Sequence, residues 1–346
     1  MSATSVPSDS PVPAEATPKP RRELRVPHGG WRVIAAKELG DHLLSLRFIV
    51  LLVVLGLAAA IPLYFAADII RGAAPEASGS RAVFLALFTI GSQDYTFLRV
   101  DSFVAIVAPL LGLAFAFDAI NGERSDGTLP RLLAQPIYRD DVINGKFAAG
   151  LSVIGIVLLA VVGIIAGYGI FRLGITPAGE EIVRLGAWIL VTFIYVGLWL
   201  AFGLLLSVLV RRAATSALIG FGVWFLLTIF GSLIVTLLAR AVSPVTGTTI
   251  DEQIGQAQTQ QFITRLLPSE LYSEVTKVLL NPTSNPQADL PGSLGQAQQA
   301  AQQIPTLLGF NQSLLLVMPQ IVVLVALTVA CFALAYVAFM RQEVRA

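Results

Sequence analysis

Cysteine, histidine and charged residues are all scarce in this sequence, and each shortage excludes a class of protein. The 346 residues include one cysteine, Cys331, and two histidines, His28 and His42. These numbers exclude a disulfide framework and a metal centre built from thiolates or imidazoles. Only 13% of the residues are charged, whereas a soluble domain has about 25%. The net charge of +1 gives no basic face for a nucleic acid.

Motifs for binding ATP and for catalysis inside a membrane are missing as well. The nearest match to a phosphate-binding loop, Gly145-Lys146, lacks both the earlier glycine and the following Ser or Thr. The segment Glu180-Glu181-x-x-Arg184 is similar to the paired-glutamate motif of intramembrane proteases, but no histidine follows it to complete a metal site. We therefore expect no catalytic residues, no metal and no cofactor on this chain.

Long hydrophobic segments are what the sequence has instead. Hydrophobic residues make up 55% of the chain, and about 20 residues of helix are enough to cross a bilayer. Because unpaired backbone amides are not tolerated in lipid, such segments predict helices. The expected fold is an all-α integral membrane protein with six transmembrane helices, at residues 48–67, 102–120, 147–171, 185–210, 217–238 and 314–340.

The segments outside the spans have distinct compositions. Residues 1–29 are rich in Pro, Ser and Arg and predict a disordered tail. Residues 30–47 predict an amphipathic helix in the headgroup plane, or else a solvated helix beside the membrane. Its expected apolar stripe consists of Trp31, Ala35, Leu39, Leu43 and Leu46.

Two longer connections are expected on the opposite side of the membrane. Within residues 68–101, the apolar stretch 82–90 is too short to span and predicts an interfacial or re-entrant piece. Residues 239–309 form a Gln-rich insertion with helical stretches, one of them at 269–280. This insertion is expected to be a small helical cap outside the bilayer or a long ordered loop. The chain then closes with residues 310–346, which hold the sixth span and a short tail.

The distribution of Lys and Arg predicts the orientation. With six spans both termini lie on one side, and the segments on that side carry 15 basic residues against 8 on the other. Positive loops stay in the cytoplasm. We therefore predict a multi-pass protein of the cytoplasmic membrane with both termini, and the loop 121–146, in the cytoplasm.

The loop 121–146 between the second and third spans is the most informative part of the chain. Ser125-Asp126-Gly127 predicts a turn, and Thr128 predicts the N-cap of a short helix that Gln135-Pro136 ends. The acids Asp140-Asp141 favour a second helix start that continues into the third span.

The short helix is expected to expose leucines on the cytoplasmic surface. Leu129, Leu132 and Leu133 recur along it, and Arg131 and Arg139 flank them. Exposed leucines next to basic residues are typical of a docking surface for a protein partner. Because the loop joins the second and third spans, movement of a bound partner could be transmitted to both.

The loop resembles the permease subunits of ABC-2-type transporters, and most closely the branch linked to the maturation of multicopper enzymes or nitrous-oxide reductase. Lys37-Glu38-Leu39 is a weaker match to the family's elbow helix. The residues that carry the resemblance lie at the end of the second span and in the loop that follows it: Asp118, Glu123, Gly127, Thr128, Leu129, Leu132, Leu133, Pro136, Arg139, Gly145 and Lys146.

The resemblance implies a function and a set of partners. The 123–146 region would be a coupling helix in a groove of a separate ABC ATPase, of which there would be two copies, and ATP and Mg²⁺ would bind there. A second permease copy, as in a homodimer, and membrane lipids would be the other partners. Its coupling residues would be Glu123, Gly127, Thr128, Leu129, Arg131, Leu132, Leu133, Pro136, Arg139 and Lys146.

Several interpretations stay open at this point. Asp118 has a structural role, capping a helix or pairing with Arg124, or else a role in transport, and Glu123 binds the ATPase or favours a helix start. The uncharged spans argue against an ion or proton path and are easier to reconcile with a lipidic, hydrophobic or peptide-like cargo. A membrane-embedded enzyme and a non-transporting scaffold are the alternatives to a permease that couples ATP hydrolysis to export.

Overall fold

In the computed structural model, the described part of the chain is residues 29–77, 83–89, 99–130, 135, 137–242, 259–260, 262–281 and 308–342. Side chains are described for these residues except at 58, 65–77 and 83. Six helices are long and apolar enough to cross a membrane, which confirms the predicted number of spans. The predicted tail, apart from Gly29, and most of the Gln-rich insertion lie outside the described residues.

The helices extend beyond the apolar segments that predict them. In chain order they are α1 (Gly30–Leu43), α2 (Leu46–Ala77), α3 (Val83–Thr89), α4 (Val100–Ala116), α5 (Asn121–Ser125), α6 (Arg139–Leu173), α7 (Gly179–Leu209), α8 (Ala213–Val242), α9 (Pro268–Leu280) and α10 (Phe310–Arg341). The spans are α2, α4, α6, α7, α8 and α10. One end of the bundle, here called the terminal end, holds α1, α5 and the last residues of α7 and α10; the other is the distal end.

Helix α7 lies at the centre of the bundle and packs against α4, α6, α9 and α10. Trp188, Arg184 and Tyr195, all on α7, are among the largest fully buried side chains. The approach of α4 is closest at Gly112, where an added Cβ would lie 2.5 Å from the Val196 carbonyl oxygen and 2.7 Å from the Leu200 nitrogen. Only glycine allows two helix backbones to come this close.

Two short helices fill the distal half of the bundle. In α3, Phe84, Leu85, Leu87 and Phe88 are almost fully buried, so the stretch predicted as interfacial or re-entrant is packed inside the protein. In α9, the Tyr272 ring stacks on Tyr195 of α7 with 4.4 Å between ring centroids.

Helix α9 lies in the insertion predicted to be a helical cap or a long ordered loop, and it packs directly against the spans. Leu271, Tyr272, Val275, Val278 and Leu279 are each at most 2% exposed, and they face α4, α7 and α10. The helix lies inside the bundle because one of its faces carries a continuous apolar stripe that only other helices can cover.

Acidic and basic residues at the start of α7 bind the ends of both short helices. The Glu181 carboxylate accepts hydrogen bonds from the Phe84 and Leu85 backbone N–H groups at 2.8 and 3.3 Å, at the start of α3. Arg184 donates to the Leu279 carbonyl at 3.4 Å and to the Ser313 hydroxyl at 3.1 Å, so it joins α9 to α10. The segment similar to a protease motif thus has a structural use.

We predict that Gly112→Ala destabilises the protein, whereas Gly163→Ala does not. The added methyl group would meet the α7 backbone at Gly112, and overpacking of this kind costs about 1–3 kcal/mol. At Gly163, also in a span, no described atom lies within 4 Å of an added Cβ. Thermal unfolding in detergent, followed by size-exclusion chromatography, measures the difference. Equal midpoints for the two variants would contradict the close packing of α4 on α7.

Candidate coupling site

Helix α1 lies against the terminal end of α6 rather than apart from the bundle. The Trp31 N–H donates to Asp141 at 3.0 Å, and a Cβ at Gly145 would lie 2.7 Å from the Ile34 Cβ. The side of α1 that faces the protein therefore includes Ile34 and Glu38, and from the predicted stripe Leu39 also packs against the core. From that stripe, Trp31 and Leu46 are exposed, which leaves them free to face a membrane surface.

A buried ammonium group connects α1, α5 and α6. Lys146 Nζ lies 2.9 Å from a Glu38 carboxylate oxygen and 3.3 Å from one of Glu123, and its side chain is 4% exposed. A cation this buried requires partners of opposite charge. Lys146, predicted as a coupling residue, is thus enclosed between two carboxylates, and its role in coupling stays a prediction.

The predicted turn begins directly after α5. Gly127 has φ +66°, a conformation that favours glycine, and the Thr128 N–H donates to the Glu123 carbonyl at 3.0 Å. The Thr128 hydroxyl also donates to the Glu123 carboxylate. Leu129, which follows, is 1% exposed. The expectation that Leu129 is exposed is therefore wrong, because the turn directs it into the protein.

Asp118 forms an ion pair with Arg47 at the start of α2, with 2.6 Å between the charged atoms. The Arg47 guanidinium also lies over the Phe117 ring, 5.2 Å from its centroid. The predicted pair between Asp118 and Arg124 is therefore wrong, although a structural role for Asp118 agrees with what the structure contains.

Gln342, the residue after α10, is bound from three sides. Arg124 of α5 donates to its side-chain oxygen, and Arg139 of α6 donates to its backbone carbonyl at 3.0 Å. Its own amide nitrogen donates to the Val208 carbonyl of α7 at 2.7 Å. Arg139, predicted as a coupling residue, therefore binds the C-terminal carbonyls of the sixth span, where a positive charge also suits the helix dipole.

The loop is further joined to the end of α7. The Ser207 hydroxyl accepts hydrogen bonds from the backbone N–H groups of Ile120 and Asn121 at 2.9 and 3.2 Å. Ser207 and Asn121 are both fully buried. The residues around α5 are thus in direct contact with α2, α6, α7 and α10.

A cavity of about 690 Å³ lies between α1, α4 and this loop. Burial lowers the pKa of His42, one of its lining residues, below the ordinary value. The cations that line the cavity each lie within 4 Å of a carboxylate. The charged lining residues are Lys37, Glu38, Arg47, Asp118, Glu123, Asp126 and Lys146.

Among the described residues of the loop, 125–128, Gln135 and Tyr138 are exposed to solvent, Tyr138 with 51% of its surface. Arg131, Leu132, Leu133 and Pro136 lie outside the described residues, so their roles stay predictions. Sequence reasoning missed Glu38 as a partner of Lys146, and it missed Arg47 and Gln342. Only the position of Glu38 within the weaker Lys37-Glu38-Leu39 match pointed to it.

Comparison with known proteins identifies the family. The model of the ABC-2 family transporter protein matches residues 32–344, which is nearly the whole chain. The chain belongs to the ABC-2 transporter family. This agrees with the resemblance carried by the loop between the second and third spans.

Two curated relatives are described as the probable ABC transporter permease protein NosY. The protein of Stutzerimonas stutzeri is 30% identical over 145 residues, which cover 40% of this chain and 50% of that protein. The protein of Pseudomonas aeruginosa is 33% identical over 99 residues, which cover 28% of this chain and 34% of that protein. This ABC-2 chain therefore spans about half the length, or less, of the curated relatives it matches.

We predict that Lys146→Met is far more destabilising than Lys37→Met. Loss of the buried ammonium leaves Glu38 and Glu123 without their shared cation. Removing one partner of a buried ion pair costs about 3–5 kcal/mol. The cost is smaller at this site because both carboxylates are partly exposed to solvent. Lys37, also paired with Glu38, is 63% exposed, and such surface pairs contribute about 0–1 kcal/mol. Thermal unfolding in detergent compares the two. A Lys146→Met midpoint equal to that of Lys37→Met would contradict the buried network.

Proposed function

We propose that this chain is the membrane permease subunit of an ABC transporter and that residues 121–138 couple it to a separate ATPase. The observation that carries the proposal is the arrangement around α5. Glu123 binds Lys146 of α6, while the next residue, Arg124, binds Gln342 at the end of α10. A displacement of α5 would therefore be transmitted to two spans through charged contacts.

The proposed coupling region has two parts with different tasks. Ser125, Asp126 and Tyr138 are exposed and would contact the ATPase. The buried or half-buried side chains of Glu123, Arg139 and Lys146 would transmit the motion into the bundle, since all their described contacts are internal. The sequence-based set of coupling residues included Glu123, Arg139 and Lys146 without this division, and it did not include Ser125, Asp126 or Tyr138.

The remaining parts of the proposal come from the family and the sequence. ATP and Mg²⁺ would bind to two ATPase subunits, because this chain has no phosphate-binding loop. A second copy of the chain would complete the permease, and the terminal end would face the cytoplasm, where the ATPase is. Alternating access, with export as the direction, would then follow from a rearrangement of the packed helices.

An intramembrane enzyme is less well supported. Glu181 and Arg184, the residues similar to a protease motif, are engaged at the ends of α3 and α9. Within the described part of the chain, no group of three His, Cys, Asp or Glu side chains is placed to hold a metal ion.

We predict that Tyr138→Ala weakens binding of the ATPase by about tenfold or more, because exposed aromatic side chains dominate many interfaces. The matched control is Phe171→Ala, which removes an aromatic side chain that is 91% exposed but lies at the distal end of α6. Affinity in nanodiscs, measured by biolayer interferometry against the purified ATPase, separates the two. Equal affinities for both variants would argue against docking at this loop.

We also predict that the purified chain neither binds nor hydrolyses ATP, and that hydrolysis follows only after the ATPase is added. A preparation free of any P-loop protein, incubated with radiolabelled ATP, is the test. Sustained hydrolysis that survives purification to homogeneity would rule out the permease proposal.

A further inference from the structure

Helix α9 has a polar face that the rest of the described bundle does not cover. Its apolar face is buried, but Glu270, Ser273 and Glu274, on another side of the helix, keep part of their surface exposed. Such a division of a 13-residue helix is ordinary at a water-exposed surface. In a transmembrane bundle, the environment of such a polar face depends on how deep the helix lies in the bilayer.

The contacts of α9 place it at the depth of the bilayer. Near its C-terminus, Leu279 contacts Arg184 at the distal end of α7, while Tyr272 stacks on Tyr195, which lies about 16 Å farther along α7 at 1.5 Å per residue. The first residue, Pro268, lines a small cavity together with Trp199, still deeper by about 6 Å. Helix α9 therefore runs from near the middle of the spans to their distal end.

A charged cluster lies at this depth. Arg265, in the turn before α9, is 3.2 Å from Glu274, and Gln320 of α10 donates to the same carboxylate at 2.9 Å. Gln320 is 7% exposed, and its side-chain oxygen has no partner among the described residues. It lies about 10 Å along α10 from Ser313, which marks the distal end.

Lipid cannot solvate this cluster. The Arg265 side chain is 42% exposed and that of Glu274 is 18% exposed, and charged side chains in hydrocarbon cost several kcal/mol each. Ionisable residues at this depth face a protein interior or a water-filled cavity.

We propose that the polar face of α9, together with Arg265, lines a water-filled path that opens at the distal end. If the chain is a permease, as proposed above, the transported molecule is a hydrated polar solute. Lipid acyl chains do not fit, because they would meet the Arg265–Glu274 pair. From the sequence, the uncharged spans favoured an apolar cargo. Arg265 and Glu274 change that interpretation because they belong to α9 and the turn before it, and not to a span.

Cysteine accessibility in the membrane tests the path. In a Cys331→Ala background, single cysteines replace Glu270 and Ser273, and the controls are the buried Val275→Cys and Val322→Cys, the latter on α10 with 59% of its surface exposed. The probe is 2-sulfonatoethyl methanethiosulfonate, a membrane-impermeant anion that reacts with the thiolate, a species that forms only in contact with water. We expect Glu270→Cys and Ser273→Cys to react roughly a hundredfold faster than both controls.

Two results would overturn the proposal. Reaction at positions 270 and 273 as slow as at 322 would mean that the face meets lipid or protein. Slow reaction combined with rapid oxidative cross-linking of two chains through Ser273→Cys would assign the face to an interface between copies. The assay uses the full chain without an ATPase, so a failure of the coupling proposal would leave its outcome unchanged.

Discussion

A helix that begins or ends within the membrane leaves backbone N–H and carbonyl groups that cannot form hydrogen bonds with lipid. In the distal half of this bundle, two residues in the first turns of α7 bind such groups. Glu181 accepts the first N–H groups of α3, and Arg184 donates to a last carbonyl of α9. Unpaired buried groups of this kind cost about 1–3 kcal/mol each. Both short helices are therefore held by the same segment of α7.

At the terminal end, side chains connect the 121–138 loop to the long helices of the bundle. Charged side chains make these connections because they reach across helices and bind at defined positions. Lys146 is held by carboxylates from α1 and α5, and Gln342 is held by arginines from α5 and α6. Breaking such buried contacts is costly, so the helices would move together rather than separately.

The amino-acid sequence was sufficient to predict the spans and the family, but not the side-chain pairings or the burial of the short helices. Six long apolar runs predict spans from composition alone, and the loop between the second and third spans carries the family pattern. The helical stretch at 269–280 was predicted, but its burial against the spans was not, because 13 amphipathic residues have the same pattern at a water surface as inside a bundle. The Arg47–Asp118 pair is missed because the residues are distant in sequence, and Arg124 is the nearer candidate. The burial of Leu129 depends on the turn at Gly127 and its tertiary surroundings.

Site-specific photo-crosslinking in native membranes tests the central claim, that an ATPase docks at the terminal end through the 121–138 loop. A photoreactive amino acid is introduced at Asp126, exposed beside the turn, or at Thr176, exposed in the loop between α6 and α7 at the distal end. The account predicts a cross-linked P-loop ATPase from position 126 and none from position 176. Capture of the ATPase from position 176, or from neither position in membranes that contain it, would contradict the account.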